Sequence, residues 1–156
     1  MKKKICKFIP MIIVMLLIFF FSCMEGDESA DTSGAFLKAF VKLVEGMSHK
    51  DLSVEVLGAA HLIIRKCAHF SEYLALGITV MLWMWDLVKT KKCGLLYPEL
   101  VCMLYAATDE LHQYFVPGRY GTVTDVLIDS CGAFTGILIF YIVIKNRENK
   151  GKSGNL

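Results

Sequence analysis

Four long apolar segments leave this chain few ways to fold. They cover residues 8–24, 67–88, 94–115 and 126–144, and each is close to the roughly 20 residues with which a helix crosses a bilayer. The chain is 55% hydrophobic with a mean hydropathy of +0.51, which is more apolar than a typical soluble domain. We therefore predict an all-α integral membrane protein with four transmembrane helices in one domain, residues 8–144.

Basic residues border these segments in three clusters. The clusters contain eleven of the 17 Lys and Arg residues: Lys2, Lys3, Lys4 and Lys7, then Lys89, Lys91 and Lys92, then Lys145, Arg147, Lys150 and Lys152. With four spans and both termini in the cytoplasm, all three clusters lie on the cytoplasmic side, in agreement with the positive-inside rule. We therefore predict basic cytoplasmic tails at residues 1–7 and 145–156.

The connection between the first two segments then lies on the extracytoplasmic side. Its second half carries apolar residues at helical spacing, with charged residues between them: Phe36, Phe40, Leu43, Val44 and Met47. This pattern is typical of a short amphipathic helix that lies on a membrane surface. We predict such a helix on the extracytoplasmic face.

The N-terminus allows a second interpretation. A basic start and an apolar stretch that ends at Cys23 resemble a signal peptide with a lipoprotein cleavage site. Phe20 stands three residues before that cysteine, where such sites usually have Leu. We therefore predict that the first segment is retained as a transmembrane span.

Polar and ionisable residues in or beside the last three segments are the main candidates for function. An ionisable group at the centre of a bilayer costs about 2.5 to 3.5 kcal/mol on insertion scales, so these groups indicate pairing or a functional site. The predicted topology brings them all to the extracytoplasmic side. They form the predicted binding pocket: Arg65, Lys66, His69, Glu72, Tyr73, Asp109, Glu110, His112, Gln113, Arg119, Asp125 and Asp129.

Helical spacing sorts most of these residues into one polar stripe per helix. The stripes are Arg65, His69 and Glu72; Asp109, His112 and Gln113; and Asp125 and Asp129, continued by Gly132 and Gly136. Because lipid cannot satisfy polar groups, we expect the stripes to face one another around an extracytoplasmic pocket. The two glycines should let a neighbouring backbone approach closely beneath it.

The sequence resembles the VanZ-like family of bacterial membrane proteins over about residues 8–144. The resemblance rests on three motifs: RKCAHFSEY at residues 65–73 followed by Leu76-Gly77, DELHQYFVPGR at residues 109–119, and Asp125 and Asp129 with Gly132 and Gly136. The chain departs from the family at Ser22-Cys23-Met24, where Ser-Ser-Gln is usual, and at position 129, where Asn is common. The resemblance implies a multi-pass protein of the bacterial cytoplasmic membrane and a role in low-level resistance to the glycopeptide teicoplanin, with no established molecular activity.

Three roles stay open for the pocket. Because guanidinium groups match phosphate, the leading expectation is a non-enzymatic protein that binds a lipid head group, a lipid-linked cell-wall precursor or a lipoglycopeptide, and no nucleic acid. The alternative is a membrane hydrolase or transferase acting on a lipid-linked phosphate, with catalytic candidates His69, Asp109, His112 and Asp125. The third role is a structural network of ion pairs that holds the helices together.

A divalent metal is a further alternative, although the sequence requires no cofactor. His69, His112, Asp125 and Asp129 could supply nitrogen and oxygen ligands, but no HExxH motif is present and the groups must converge from separate helices. The six cysteines occur singly, without CxxC or CxxxC spacing, which predicts neither a disulfide framework nor a cysteine zinc site.

Overall fold

The structure is a computed structural model that describes residues 2–23, 54–90 and 94–153. Four α-helices make up most of these residues: α1 (Lys2–Cys23), α2 (Val54–Val88), α3 (Leu96–Tyr114) and α4 (Val123–Ser153). No β-strand occurs within these three ranges, so the predicted all-α class is confirmed. The predicted amphipathic helix around residues 36–47 lies outside the described residues.

Each predicted apolar segment coincides with a helix, but three of the helices are longer than predicted. α2 begins at Val54 rather than at residue 67, and α4 continues to Ser153, through most of the predicted C-terminal tail. The reason is that hydropathy marks the apolar part of a helix, whereas Arg, Lys and Glu continue a helix as readily as Leu does. α1 also begins earlier than predicted, at Lys2 rather than at residue 8, whereas its C-terminal end and both ends of α3 agree with the prediction to within two residues.

Two stretches among the described residues are long and apolar enough to cross a membrane, Gly58–Val88 and Val123–Lys150. The apolar part of α1, Lys7–Cys23, is shorter, and the α3 sequence includes Glu99, Asp109 and Glu110. The chain thus has two long apolar candidate spans within an all-helical fold. The arrangement of four spans with both termini in the cytoplasm stays a prediction.

Close contact between α2 and α4 organises the bundle, and these two helices share the most extensive interface. A Cβ atom on Gly77 would overlap the carbonyl oxygen of Ala133 on α4. Cβ atoms on Gly132 and Gly136 would likewise overlap the carbonyl oxygens of Phe70 and Leu74 on α2. The predicted close backbone approach at Gly132 and Gly136 is therefore confirmed.

The bundle has a basic end opposite the polar residues. Lys7 of α1 lies 2.9 Å from the carboxylate of Asp86 on α2, and Lys89 lies 3.3 Å from it. Nearby, the rings of Phe8 and Trp83 meet edge to face at 5.5 Å. The N-terminal end of α1 thus lies beside the C-terminal end of α2, and the C-terminal end of α1 lies toward the polar residues.

Candidate functional site

The polar residues of all four helices meet at the end of the bundle where α1 and α3 finish and α4 begins. At this end, the contact between α2 and α4 includes two polar pairs. Lys66 Nζ lies 2.5 Å from Asp125 Oδ1, and His69 Nδ1 lies 3.6 Å from Asp129 Oδ1. Lys66 and His69 are three residues apart on α2, and Asp125 and Asp129 are four apart on α4. The His69–Asp129 pair therefore lies about one helical turn from the Lys66–Asp125 pair.

Asp129 is the most deeply buried of these acids. Its exposed fraction is 0%, and neither carboxylate oxygen has a hydrogen-bond partner among the described residues. Its separation from His69 is within ion-pair range but is longer than a hydrogen bond. A carboxylate in this position lacks the partners that buried charges ordinarily have.

The turn between α3 and α4 brings Glu110 into the same region. The backbone N–H of Thr122 donates a hydrogen bond of 2.9 Å to Glu110 Oε2. Gly118 adopts a left-handed conformation with φ 72°, and a Cβ atom on Gly121 would overlap the Glu110 carbonyl oxygen, so the turn lies directly against α3. The second oxygen of Glu110, Oε1, is buried without a hydrogen-bond partner in the described part of the chain.

Asp109, Gln113 and His112 of α3 face the other helices of the bundle. Gln113 Nε2 donates a hydrogen bond of 3.1 Å to Asp109 Oδ2, and both side chains are buried. His112 turns toward α1 instead, where its Nδ1 lies 3.3 Å from Ser22 Oγ and its ring lies 5.1 Å from that of Phe19. The predicted stripe on α3 therefore contacts α1 through His112.

Arg119 connects the same turn to α1. Its buried guanidinium donates a hydrogen bond of 2.9 Å from Nη2 to the carbonyl oxygen of Phe21, in the last turn of the helix, where carbonyl groups lack intrahelical partners. Burial, and then repulsion from Arg65, lowers the pKa of Arg119 from its ordinary value. An arginine keeps its charge under such a shift, so a cation stands close to the acids of α3.

Glu72 and Tyr73 complete the predicted set and lie deeper along α2. Glu72 is half-buried and interacts electrostatically with Asp109 and Arg119. Tyr73 is fully buried and interacts electrostatically with Asp109. These side chains form the interior of the polar end and are not in contact with its opening.

A cavity of about 350 Å³ opens between α2 and the start of α4. Leu62, Arg65, Lys66 and His69 of α2 line one side, and the other side comes from the turn and the first residues of α4: Tyr120, Thr122, Thr124 and Asp125. An apolar groove of about 370 Å³ runs beside it. Lys66 borders both spaces, and the rest of the groove lining comes from α2 and α4: Ile63, Cys67, Phe70, Ser71 and Ile128.

The four metal candidates named from the sequence are not brought together as a group. A compact set of potential ligands among the described residues is instead His69, Glu110 and Asp129, whose ligand atoms all lie within 4.8 Å of one another. His112 contacts α1 and Asp125 pairs with Lys66. Glu110, rather than His112, is the α3 member of this cluster. The two residues point about 200° apart around the helix, so they cannot both face it.

Three residues of the site were not predicted. Ser22 is buried against His112, Thr122 holds Glu110 through its backbone, and Tyr120 lines the cavity. Ser22 had a signal, since it is a polar residue at the end of an apolar segment and at the place where the family motif begins. Thr122 and Tyr120 had none, because their roles depend on how the turn folds.

One of three comparisons with known proteins finds a match, and that match covers nearly the whole chain. No curated protein and no solved structure matches it. A family model described as VanZ/LLP1 matches residues 7–144, which contain every residue of the polar end. On the strength of that match, the chain belongs to the VanZ/LLP1 family.

Proposed function

We propose that this protein is a multi-pass protein of the bacterial cytoplasmic membrane whose polar pocket binds the phosphate-bearing head group of a lipid or of a lipid-linked cell-wall precursor. In this proposal the bound head group, or a lipoglycopeptide that competes for it, changes susceptibility to glycopeptides such as teicoplanin. The observation that carries the proposal is the position of Lys66 between a polar cavity and an apolar groove. An amphipathic ligand needs both kinds of surface side by side.

The cavity offers positive charge suited to phosphate. Arg65 lines it and interacts electrostatically with Glu110, and a guanidinium suits a bidentate contact with phosphate. Lys66 shares its charge with Asp125, and the hydroxyl groups of Thr122 and Thr124 add hydrogen-bond donors. This combination favours an anion over a neutral head group.

The groove supports a lipid as the source of that anion. Phe70 of α2 and Ile128 of α4 form apolar walls of this surface groove, against which an acyl chain could pack. The outer surface of the bundle is also apolar, with large side chains exposed on three helices: Leu16, Phe20, Leu104, Leu111, Ile139 and Ile142. Soluble monomers rarely expose such extended apolar surface, which favours a membrane setting.

A serine-based enzyme has less support. Ser71 is exposed, and its hydroxyl group donates a hydrogen bond of 2.7 Å to the carbonyl oxygen of Cys67, as helical serines commonly do. No general base contacts Ser71 among the described residues, so it lacks the partner that an activated nucleophile needs. The enzyme alternative therefore depends on an activated water rather than on serine.

The decisive experiment measures lipid retention by the purified full-length protein. Native mass spectrometry after detergent exchange would compare phosphatidylglycerol, undecaprenyl phosphate and neutral diacylglycerol on the wild type and on Arg65→Gln. We expect about tenfold less anionic lipid on the variant, equivalent to the loss of one charge-assisted contact. Lys145→Gln, at the basic end of the bundle, is the matched control and should retain lipid as the wild type does.

A cell-based test follows from the same variants. Expression of the wild type in a glycopeptide-sensitive host should raise the inhibitory concentration of teicoplanin, and Arg65→Gln should lose that effect at equal membrane abundance. Equal lipid retention and equal resistance in the two proteins would contradict the proposal. Release of inorganic phosphate from undecaprenyl pyrophosphate would favour the enzyme instead.

A further inference from the structure

Three helices each contribute one potential metal ligand to a single buried point at the polar end. His69 comes from α2, Glu110 from α3 and Asp129 from α4, and their ligand atoms lie within 4.8 Å of one another. Two ligands bound to the same zinc ion at about 2.1 Å are separated by at most about 4.2 Å. Small side-chain rotations would therefore bring the three atoms to coordination distance.

The same atoms lack other partners. His69 Nδ1, Glu110 Oε1 and both carboxylate oxygens of Asp129 are buried and make no hydrogen bond within the described residues. Asp129 is completely buried, so solvent does not compensate its charge. Buried acids in native proteins are ordinarily paired or bound to a metal, and here the pairing is missing.

Two of the nearby cations are engaged elsewhere. Lys66 contacts Asp125 one turn away, and Arg119 donates to the carbonyl oxygen of Phe21 on α1. His69 approaches Asp129 at 3.6 Å but forms no hydrogen bond with it. No described Lys or Arg side chain forms an ion pair with these three residues, although Arg65 and Arg119 act on Glu110 at longer range.

The surroundings of Glu110 also suit a metal ligand. The N–H of Thr122 binds Oε2 at 2.9 Å, which leaves the buried Oε1 without a hydrogen-bond partner among the described residues. Hydrogen bonds of this kind orient the ligands of metal sites and commonly change their affinity by 10- to 100-fold, roughly. His69 borders the cavity as well, so part of the coordination sphere would be open to an exogenous oxygen.

We propose that His69, Glu110 and Asp129 form a binding site for a divalent transition metal, Zn²⁺ or Mn²⁺, at the base of the cavity. One imidazole nitrogen with two carboxylates is a donor set that suits these ions better than Ca²⁺ or Mg²⁺, which prefer oxygen alone. The site differs from the set expected from the sequence by including Glu110 and excluding His112 and Asp125. It does not depend on lipid binding, because the metal can be measured without lipid.

The test begins with metal content. The full-length protein in detergent is stripped with EDTA, dialysed against ZnCl₂ or MnCl₂, desalted and measured by inductively coupled plasma mass spectrometry. We expect one metal ion per chain, and at least a tenfold loss of affinity in Asp129→Asn and Glu110→Gln. Asp86→Asn, an acid at the basic end, is the control and should bind like the wild type.

His112→Gln distinguishes this site from the set expected from the sequence. It should keep one metal ion per chain, and loss of the metal would overturn the assignment of Glu110. Co²⁺ provides a second measurement, because its visible absorption bands report direct coordination and should change in His69→Ala. A stripped wild type that takes up neither Zn²⁺ nor Mn²⁺ would overturn the whole proposal.

Stability supplies a readout that separates a metal site from an ion pair. Without metal, Asp129→Asn should raise the melting temperature of the protein, because it removes an uncompensated buried charge. With metal, the wild type should be the more stable protein, because only it binds the ion tightly. If Asp129 serves only to pair with His69, the variant would be the less stable protein in both conditions, and that result would overturn the proposal.

Discussion

The ammonium group of Lys66 on α2 lies 2.5 Å from a carboxylate oxygen of Asp125 on α4, between the polar cavity and the apolar groove. The Lys66 side chain is 44% exposed and the Asp125 side chain 16%, so solvent reaches the lysine end of this part-buried ion pair and weakens its contribution to stability. The pair therefore matters more for the charge it presents to a ligand than for holding the helices together. Substitution of Lys66 and substitution of Asp125 should therefore affect anion binding differently.

We expect Lys66→Met to reduce retention of anionic lipid by about tenfold, because it removes a cation at the cavity. Asp125→Asn should leave retention unchanged or raise it, because the carboxylate no longer competes with phosphate for Lys66. Native mass spectrometry of the two purified variants measures both effects. Equal losses in the two variants would indicate that the ion pair acts as a structural clamp.

Gly77 should tolerate no side chain. A Cβ atom there would overlap the backbone of Ala133, so Gly77→Ala should destabilise the protein by about 1 to 3 kcal/mol, a typical cost of overpacking. Gly58→Ala is the matched control, since apart from its chain neighbours and its own helix backbone no described atom lies within 4 Å of its Cβ position. That variant should be stabilised by up to about 1 kcal/mol, because alanine is the better helix former. Thermal unfolding in detergent, followed by tryptophan fluorescence, would measure the difference, and equal melting temperatures would contradict the interface.

Arg119 should contribute to stability through α1. Arg119→Met removes a charge-assisted hydrogen bond to the carbonyl oxygen of Phe21 and a cation close to Asp109 and Glu110, and the expected loss is about 1.5 to 3 kcal/mol. Arg147→Met, on the exposed end of α4, should change stability by less than about 0.5 kcal/mol. Both can be compared by unfolding in mixed detergent. An unchanged Arg119→Met protein would show that α1 is held without this contact.

The predicted topology has a direct test. Thr122 lies exposed in the turn at the polar end, and Thr90 lies exposed at the basic end. In a background without reactive native cysteines, Thr122→Cys should react with a membrane-impermeant maleimide in intact cells. Thr90→Cys should react only after the membrane is opened. The reverse pattern would place the polar end in the cytoplasm and would exclude an extracytoplasmic pocket.

Much of the fold could be read from the apolar segments. Their lengths predicted four helices, and the glycine spacing at Gly132 and Gly136 predicted the close approach of another backbone. The start of α2 at Val54 could not be read in this way, because hydropathy falls at charged residues while the helical hydrogen bonds continue through them. The same limit applies to the C-terminal extension of α4.

For the candidate site, periodicity predicted which polar side chains share one face of a helix, but not which side chains of another helix they meet. Periodicity is a local property, so the sequence alone was sufficient to place His69 in the polar stripe of α2 and Asp129 in the polar stripe of α4. The choice between Glu110 and His112 as the partner from α3 depends on how α3 is rotated, and rotation is a relation between helices. The turn with Gly118 and Arg119 fixes this rotation, because Arg119 donates a hydrogen bond to α1 while the N–H of Thr122 binds Glu110. Contacts between residues distant in the chain therefore decided which side chains meet, and no repeat along one helix encodes them.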